Sequence, residues 1–429
     1  MLGRSPATTD GRITIARHAH RGPQHPFLQI LAMFAIALGV VSVSVIGVGA
    51  FAVVDTARAA TENAIALGGE DQLPPTLGAI EGGVNVLLVG TDSCEGQDIA
   101  LFPRCAEDEG GERNDVTMLV NISDSPRRVT VVSFPRDMIV PIPECTNADG
   151  ETYSAKSAQM INASYVEGGL GCSVATVEAL TDVDIQFAAA IRWTGVINMS
   201  DAIGGVDVCV SGDISDAHTG LSLTAGTHTL KGEQALQFLR IRHGIGDGSD
   251  LGRISNQQQF MSSMVRKLQS DAVLSNPGTL FNIATTAIAQ VNEKQLVLTQ
   301  GLANPTRMVQ IAMAVNGIPY EDIVFVQYPT VYGSGSQAAH VYPVTEDADA
   351  LFAAIAANQP LTLTGEASGG FGVEVTGEAT QPVPSASETP DPSASPSASA
   401  SAAPEVRVEL PSSITGTTAA QVTCTVPEG

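Results

Sequence analysis

The sequence predicts an α/β fold: a layered α-β-α domain with a central mixed sheet, preceded by one transmembrane helix. Three observations lead there. Apolar, β-branched runs bounded by turn residues read as strands buried on both faces. Helical patterns alternate with those runs, which is the order of an α/β layered domain. A long uncharged stretch precedes them all, between residues 27 and 54.

Residues 1–26 form a basic head carrying Arg4, Arg12, Arg17 and Arg21 against Asp10 alone. The next stretch, "FLQILAMFAIALGVVSVSVIGVGAFAVV" (27–54), has no charge and one Gln, and as a helix at about 1.5 Å per residue it spans a bilayer. Positive charge before the span places the N-terminus in the cytoplasm and everything after it outside the cell membrane. A cleaved signal peptide ending at "ARA" (57–59) is the competing reading; the apolar run, about twice the usual ~7–15-residue signal core, favours an uncleaved, single-pass anchor. Residues 55–81 read as a stalk in which "TARAATENAIAL" is helical.

Strands follow at "VNVLLVG" (84–90), "DVTMLVNIS" (115–123) and "RRVTVVSF" (127–134), and later at "IQFAAAIR" (185–192) and "GGVDVCV" (204–210). Helical patterns cover 157–169, 173–181, 193–205, 231–242 and 254–270. Together they define a domain over 82–362. From 363 to 405 the composition shifts to Ser, Ala and Pro, as in "PSASETPDPSASPSASASAAPE", which buries too little to offset the entropy of ordering and predicts a disordered linker. The last stretch, 406–429, regains a short apolar alternation and holds Cys424, so it reads as a tail fastened back onto the domain.

Composition bounds the function. With 44% hydrophobic residues and 42 glycines among 429, the chain is not a disordered protein. A net charge of −24 argues against nucleic acid as a partner, so an anionic ligand has to be held by a local cluster. Of the 21 cations 17 are Arg, the residue suited to bidentate recognition of phosphate or carboxylate, although a total alone does not place a site. The six cysteines, Cys94, Cys105, Cys145, Cys172, Cys209 and Cys424, all follow the anchor and suit an oxidising space. They allow 15 pairings. Loop closure favours Cys94 with Cys105, Cys145 with Cys172 would tie a loop to a helix start, and Cys209 is then left for Cys424. No CxxC pair occurs and the histidines are scattered, which argues against a metal held by cysteine and histidine.

Charges cluster where apolar elements end. Asp92 follows "LLVGT", Arg113 and Asp115 introduce "DVTMLV", and Arg136 with Asp137 follows "VVSFP". The C-terminal ends of strands are where open α/β sheets bind ligands. Arg240 and Arg242 stand at the end of one helix, Arg253 and Gln257 at the start of the next. Any one of these could be a helix cap or a surface ion pair. As a set they match the needs of phosphoryl transfer, because arginines fork onto pyrophosphate oxygens while paired carboxylates hold a bridging Mg²⁺. The Gly pairs at 82–83, 168–169 and 204–205 lack a GKS/T ending and read as turns.

In order along the chain, "NVLLVGTDS", "RNDVTMLVNIS", "VVSFPRDMIVPIP", "INASYVEGG", "IGGVDVCV", "GTHTLKGEQALQFLRIRH" and "LGRISNQQQF" resemble the LytR-CpsA-Psr family of cell-wall glycopolymer transferases. The resemblance covers 82–275. It implies an extracytoplasmic enzyme of cell wall biogenesis that moves a phosphate-linked polymer, of teichoic acid, capsule or arabinogalactan type, from a polyprenyl pyrophosphate carrier to peptidoglycan. It further implies Asp92 and Asp115 as Mg²⁺ ligands, and Arg113, Arg136, Arg240, Arg242, Arg253 and Gln257 as pyrophosphate contacts. Asp92, Arg136 and Arg240 are the implied catalytic residues, with Asp137 orienting Arg136.

Many relatives resemble R-x-x-R-Q at the last motif, whereas here Asn256 replaces the second Arg, which removes a cation from the expected clamp. His243 reads as a cap on helix carbonyls rather than a general base. Residues Ala188, Ala189, Ala190, Val196, Met199 and Ile203, with Leu236, Phe238, Phe260 and Met264, are ordinary core positions by composition. The family resemblance implies that some of them line a tunnel for a lipid tail. The alternative to a transferase is a non-catalytic, membrane-anchored scaffold that binds the polyprenyl lipid or the glycopolymer, since binding needs the same arginines.

Overall fold

The computed structural model describes residues 64–65, 83–107, 111–147, 149–270, 273, 277–367, 371–381 and 406–429. All of them belong to the unit Asp55–Gly429. The basic head, the predicted anchor, most of the stalk and the Ser/Ala/Pro stretch 382–405 lie outside the described residues. Among those described, no helix is long and apolar enough to cross a membrane.

The first strands form where the apolar runs predict: β1 (Val84–Thr91), β2 (Asn114–Ile122), β3 (Val129–Phe134), β4 (Phe187–Ile191) and β5 (Val206–Val210). They are followed by β6 (Gly226–Leu230), β7 (Leu296–Leu298), β8 (Ile323–Gln327), β9 (Val373–Glu378), β10 (Gly416–Thr418) and β11 (Gln421–Thr425). The helices are α1 (Ala163–Thr181), α2 (Trp193–Ile203), α3 (Glu233–Arg240), α4 (Asp250–Ser270), α5 (Pro277–Asn292), α6 (Pro305–Ala314) and α7 (Thr345–Ala356).

A seven-stranded sheet runs β7-β4-β1-β2-β3-β8-β10. It is mixed: β1 pairs parallel with β4 and β3 parallel with β8, while β2 lies antiparallel between β1 and β3. Side chains alternate between two covered faces, which is why these strands read as continuous apolar runs. Leu87, Leu119, Val132 and Phe134 pack with α1 and α7 on one face. Val86 and Phe187 on the other face meet Ile288 of α5, and Met118 and Val131 meet Met261 and Val265 of α4.

A smaller sheet, β6-β5-β11-β9, packs its Val206, Val208 and Val210 against α3 and Phe260 of α4. Its strands come from both sides of the Ser/Ala/Pro stretch, so the tail is part of the fold. Strand β11 lies parallel to β5 and antiparallel to β9, and β10 forms an edge of the large sheet beside β8. Disulfides join Cys94 to Cys105, Cys145 to Cys172 and Cys209 to Cys424.

The structure corrects the sequence reading at four places. Residues Lys156–Met160, read as the start of a helix, form a strand paired with Ile139–Ile142, so tertiary pairing overrides the local pattern. The helices read at 157–169 and 173–181 are one element, α1, broken at Gly168–Gly169, where Gly169 takes φ 64°. Helix α4 begins at Asp250, because the Gly-rich "GIGDGSD" before Leu251 hides its start. Residues Val373–Glu378, assigned by composition to the linker, are β9: register with β11 supplies the order that the local sequence lacks.

Candidate functional site

The antiparallel placement of β2 between β1 and β3 brings the end of β1, the start of β2 and the end of β3 to the same end of the sheet's central strands. Thr91 opposes Asn114, and Thr117 opposes Phe134. The charges that interrupt these strands in sequence therefore meet in space.

Arg136 is the centre of the cluster. Its Nη1 donates to Asp115 Oδ1 at 2.6 Å, and its Nε lies 3.5 Å from Asp250 Oδ1 and 3.6 Å from Asp137 Oδ2. Burial pulls the guanidinium pKa down, but Asp115, Asp250 and Asp137 outweigh it and leave the pKa above the ordinary arginine value. The shortest contact is thus Asp115, with Asp137 a longer ion-pair partner of the same guanidinium. Arg253, on the first turn of α4, reaches across to the carbonyl of Asp115 at 2.8 Å, and its Nη2 stands 2.7 Å from Asp250 Oδ1. Asp250 oxygens nonetheless have no hydrogen-bond partner, so the Arg253 contact is an ion pair in poor alignment.

Asp92 and Arg113 are joined through the backbone: the Asp92 amide donates to the Arg113 carbonyl at 3.1 Å, and the Arg113 amide donates to Asp92 Oδ1 at 2.8 Å. The Arg113 side chain is exposed. Burial raises the Asp92 pKa and the charge of Asp115 adds to it, against the opposing Arg113 amide. Two carboxylates that feel one another at the mouth of the sheet fit Mg²⁺, which binds through one or two carboxylates plus phosphate oxygens and water. Among the described residues no three of His, Cys, Asp or Glu form a metal-binding group, so phosphate and water would have to complete the shell.

Behind the charges lies a cavity of about 480 Å³ between the sheet and helices α2, α3 and α4. Leu88, Met118, Val196, Met199, Leu236 and Met264 are among its apolar walls, and Asp115, Arg136, Arg240, Arg242, Arg253 and Gln257 line its charged end. Asp92 and Arg113 do not line it, although Thr91 beside Asp92 does. Of the candidate tunnel residues, Val196, Met199, Ile203, Leu236, Phe260 and Met264 face the cavity. Ala188, Ala190 and Phe238 are buried core, and Ala189 packs with the α5 side of the sheet.

Arg240 is held over the ring of Trp193 with its guanidinium carbon 4.2 Å from the centroid, and Phe102 packs against that indole at 4.9 Å. The Nε–H groups of Arg136, Arg242 and Arg253 are buried without a hydrogen-bond partner. Such donors suit an anion. Gln257 faces the cavity but commits an amide hydrogen to the Leu239 carbonyl at 3.0 Å.

Asn256 is fully buried and does not line the cavity. Its amide donates to the Phe238 carbonyl at 2.8 Å, and its Oδ1 accepts from Thr425 Oγ1 at 2.5 Å. In place of a cation it fastens α4 to α3 and to β11.

Sequence reasoning missed Asp250, which a Gly-rich loop disguised as an ordinary helix start. It also missed Arg192, nearly buried, which pairs with Glu112 at 2.7 Å and Glu95 at 2.9 Å. Glu112 accepts in turn from Thr91 Oγ1 at 2.5 Å, so this ion pair fixes the loop between β1 and β2. The signal was available: Arg192 also ends an apolar strand. His243 stacks on His218 with centroids 4.4 Å apart, both rings at the cavity rim.

A model of the LytR_cpsA_psr family matches residues 51–355. The chain is 26% identical over 289 residues to the cell wall biosynthesis protein LcpA of Corynebacterium glutamicum, a match covering 62% of this chain and 54% of that one. It is 31% identical over 192 residues to the polyisoprenyl-teichoic acid–peptidoglycan teichoic acid transferase TagU of Bacillus cereus, covering 44% of this chain and 59% of that one. The chain thus spans little more than half the length of these relatives. The crystal structure of B. subtilis TagV shares its fold with a TM-score of 0.50 at 19% identity, over 65% of this chain and 98% of that one.

Proposed function

The chain belongs to the LytR_cpsA_psr family, and from that premise we propose that it is an extracytoplasmic phosphotransferase of cell wall assembly. Its donor is a glycopolymer linked through pyrophosphate to a polyprenyl carrier, and its acceptor is peptidoglycan. The observation that carries this reading is one cavity with two chemistries: apolar walls from α2, α3 and α4 lead to a mouth held by Arg136, Arg240, Arg242 and Arg253. That is the shape of a lipid with a polyanionic head. The names of TagU and LcpA support the substrate class. The uncharged run at 27–54 supports a membrane anchor, with the domain outside the cell.

In this mechanism Arg136 and Arg253, braced by Asp115 and Asp250, fork onto the pyrophosphate, while Trp193 keeps Arg240 aimed at it. The arginines neutralise charge as it builds on the departing polyprenyl phosphate, which is where most catalysis of phosphoryl transfer arises. Asp92 and Asp115 would hold Mg²⁺, which would supply further charge neutralisation when bound. The apolar cavity walls fix the prenyl chain, so binding energy far from the phosphorus orients the reacting centre.

The test is transfer of a labelled polyprenyl-pyrophosphate-linked disaccharide to peptidoglycan fragments by the full chain in detergent, with Mg²⁺ and with chelator. Metal-dependent transfer is expected. Tight lipid binding without transfer to any acceptor, under any metal condition, would leave a scaffold instead.

A further inference from the structure

On the rim of the cavity that Arg136 also lines, the turn between the paired strands Ile214–Asp216 and Leu221–Leu223 presents His218. Three observations single it out. Asp216, 2% exposed, accepts from the His218 amide at 2.7 Å and lies 3.2 Å from the His218 ring Nδ1. A carboxylate only accepts, so this contact puts the ring hydrogen on Nδ1 and the lone pair on Nε2. The His218 side chain is 63% exposed, which leaves Nε2 open to an incoming group. The Asp216 carboxylate also accepts from the backbone N–H of Arg242, tying the imidazole to a residue of the phosphate clamp at 3.4 Å.

We propose that His218, oriented by Asp216, is the general base that takes the proton of the acceptor hydroxyl; this rests on the transferase reading above. The arrangement follows the logic of a histidine held in one tautomer by a buried carboxylate, which also stabilises the imidazolium once it forms. Burial pushes the Asp216 pKa up, but the His218 and Arg242 amides and the two histidines outweigh it and hold it below the ordinary aspartate value, so it is anionic in the working range. The groups against the His218 ring are Asp216 on its own turn and His243 beyond the end of α3, while Arg242 reaches Asp216 through its backbone N–H.

The step balances as follows. The acceptor O–H proton moves to His218 Nε2 as the hydroxyl oxygen forms a bond to the sugar-linked phosphorus. The bond from that phosphorus to the bridging oxygen breaks, its electron pair stays with that oxygen, and polyprenyl phosphate leaves. The exposed imidazolium then returns its proton to water. His243, stacked on His218, limits the positions open to the ring and is a positioning residue.

The experiment uses the full chain in detergent, the same labelled disaccharide donor and peptidoglycan fragments. His218→Gln should lower kcat about 100-fold, the usual scale for removing a general base, with donor affinity unchanged. The wild-type kcat should fall at low pH along a one-proton limb, and His218→Gln should flatten that limb. His243→Ala should keep it. Circular dichroism controls for folding, which an exposed ring at a turn should not disturb. Transfer by His218→Gln near the wild-type rate overturns the inference. So does loss of donor binding in parallel with rate, which would make His218 a phosphate contact, or loss of the acid limb in His243→Ala. Wild-type protein that transfers nothing removes the transferase reading, and this inference with it, whereas an active wild type beside an unimpaired His218→Gln removes the inference alone.

Discussion

Arg136 Nη1 and Asp115 Oδ1 stand 2.6 Å apart where the end of β1, the start of β2 and the end of β3 meet. The pair couples the two roles expected of this end of the sheet, because Asp115 belongs both to a carboxylate pair with Asp92 and to the brace that aims Arg136. Each charge is partly buried: removing Arg136 leaves Asp115 without its ion-pair partner, whereas removing Asp115 leaves Arg136 only the longer contacts to Asp250 and Asp137.

Arg136→Ala should therefore weaken donor binding as well as rate. A charge-assisted contact to phosphate is worth about 1.5–3 kcal/mol, which corresponds to roughly tenfold to a hundredfold in affinity. Equilibrium binding of the labelled polyprenyl-pyrophosphate donor measures it. An affinity within twofold of wild type would take Arg136 out of the clamp.

Asp92 offers a prediction with a sign. Burial raises its pKa in the folded state, so the folded protein holds the Asp92 proton more tightly than the unfolded chain does. The resulting penalty is absent below the ordinary aspartate value of 3.8, grows as pH rises toward the raised folded value, and is complete above it. Asp92→Asn should accordingly stabilise the fold at neutral pH while transfer is lost, and the gain should vanish near pH 3. Thermal unfolding across pH is the measurement; a destabilised Asp92→Asn at pH 7 would contradict the argument. Sites that store such costs are usually functional.

How much of this was legible depended on whether the signal was local. Strands β1 and β3 could be read because burial on both faces writes continuous apolar runs into the sequence. Arg136 and Asp115 could be read because a charge abutting such a run is conspicuous. Asp250 could not, since the Gly-rich stretch 244–252 around it holds no continuous apolar run for a charge to interrupt. The role of Asn256 was hidden for another reason: its partner Thr425 lies 169 residues away, on a strand whose order comes from pairing with β5 and β9. The apolar cavity walls could be recognised as apolar but not separated from core, because Phe238 and Phe260 share α3–α4 packing while only Phe260 faces the cavity.

Asn256 itself makes the third prediction. Asn256→Arg supplies the cation that the family resemblance leads one to expect, yet the position is fully buried and bonded to Phe238 and Thr425, so a guanidinium there has neither room nor a partner. Stability should fall by several kcal/mol, on the order of 3–5 as for an uncompensated buried charge, with no gain in donor affinity. Thr425→Val should cost about 1–3 kcal/mol, because it removes the single hydroxyl hydrogen that Asn256 Oδ1 and Gln259 Oε1 share. Chemical denaturation reads both; tighter donor binding by Asn256→Arg would mean that the Arg reaches the cavity after all.

The last prediction concerns the tail. Strand β11 sits inside the smaller sheet, joined to β5 by Cys209–Cys424 across 215 residues of sequence. Just beyond it, Val426 accepts from the Gly246 amide at 3.0 Å, and Glu428 exchanges bonds with Gly244, its amide donating at 3.1 Å and its Oε2 accepting at 2.8 Å. The loop so clasped joins Arg242 to Asp250, two residues of the charged mouth. Gly246 has φ 50°, and a Cβ there would stand 1.7 Å from the Phe371 carbonyl oxygen, so the loop and the strand entering β9 are pressed together. Replacing both cysteines with serine should cost about 2–5 kcal/mol, the usual range for a disulfide closing a long loop. It should also weaken donor binding, because a loosened β11 releases the loop that sets the spacing of Arg242 and Asp250. Denaturation and donor binding on the same full-chain variant separate the two effects: lower stability with unchanged affinity, measured where the variant is fully folded, would show that the tail supports the fold without shaping the mouth.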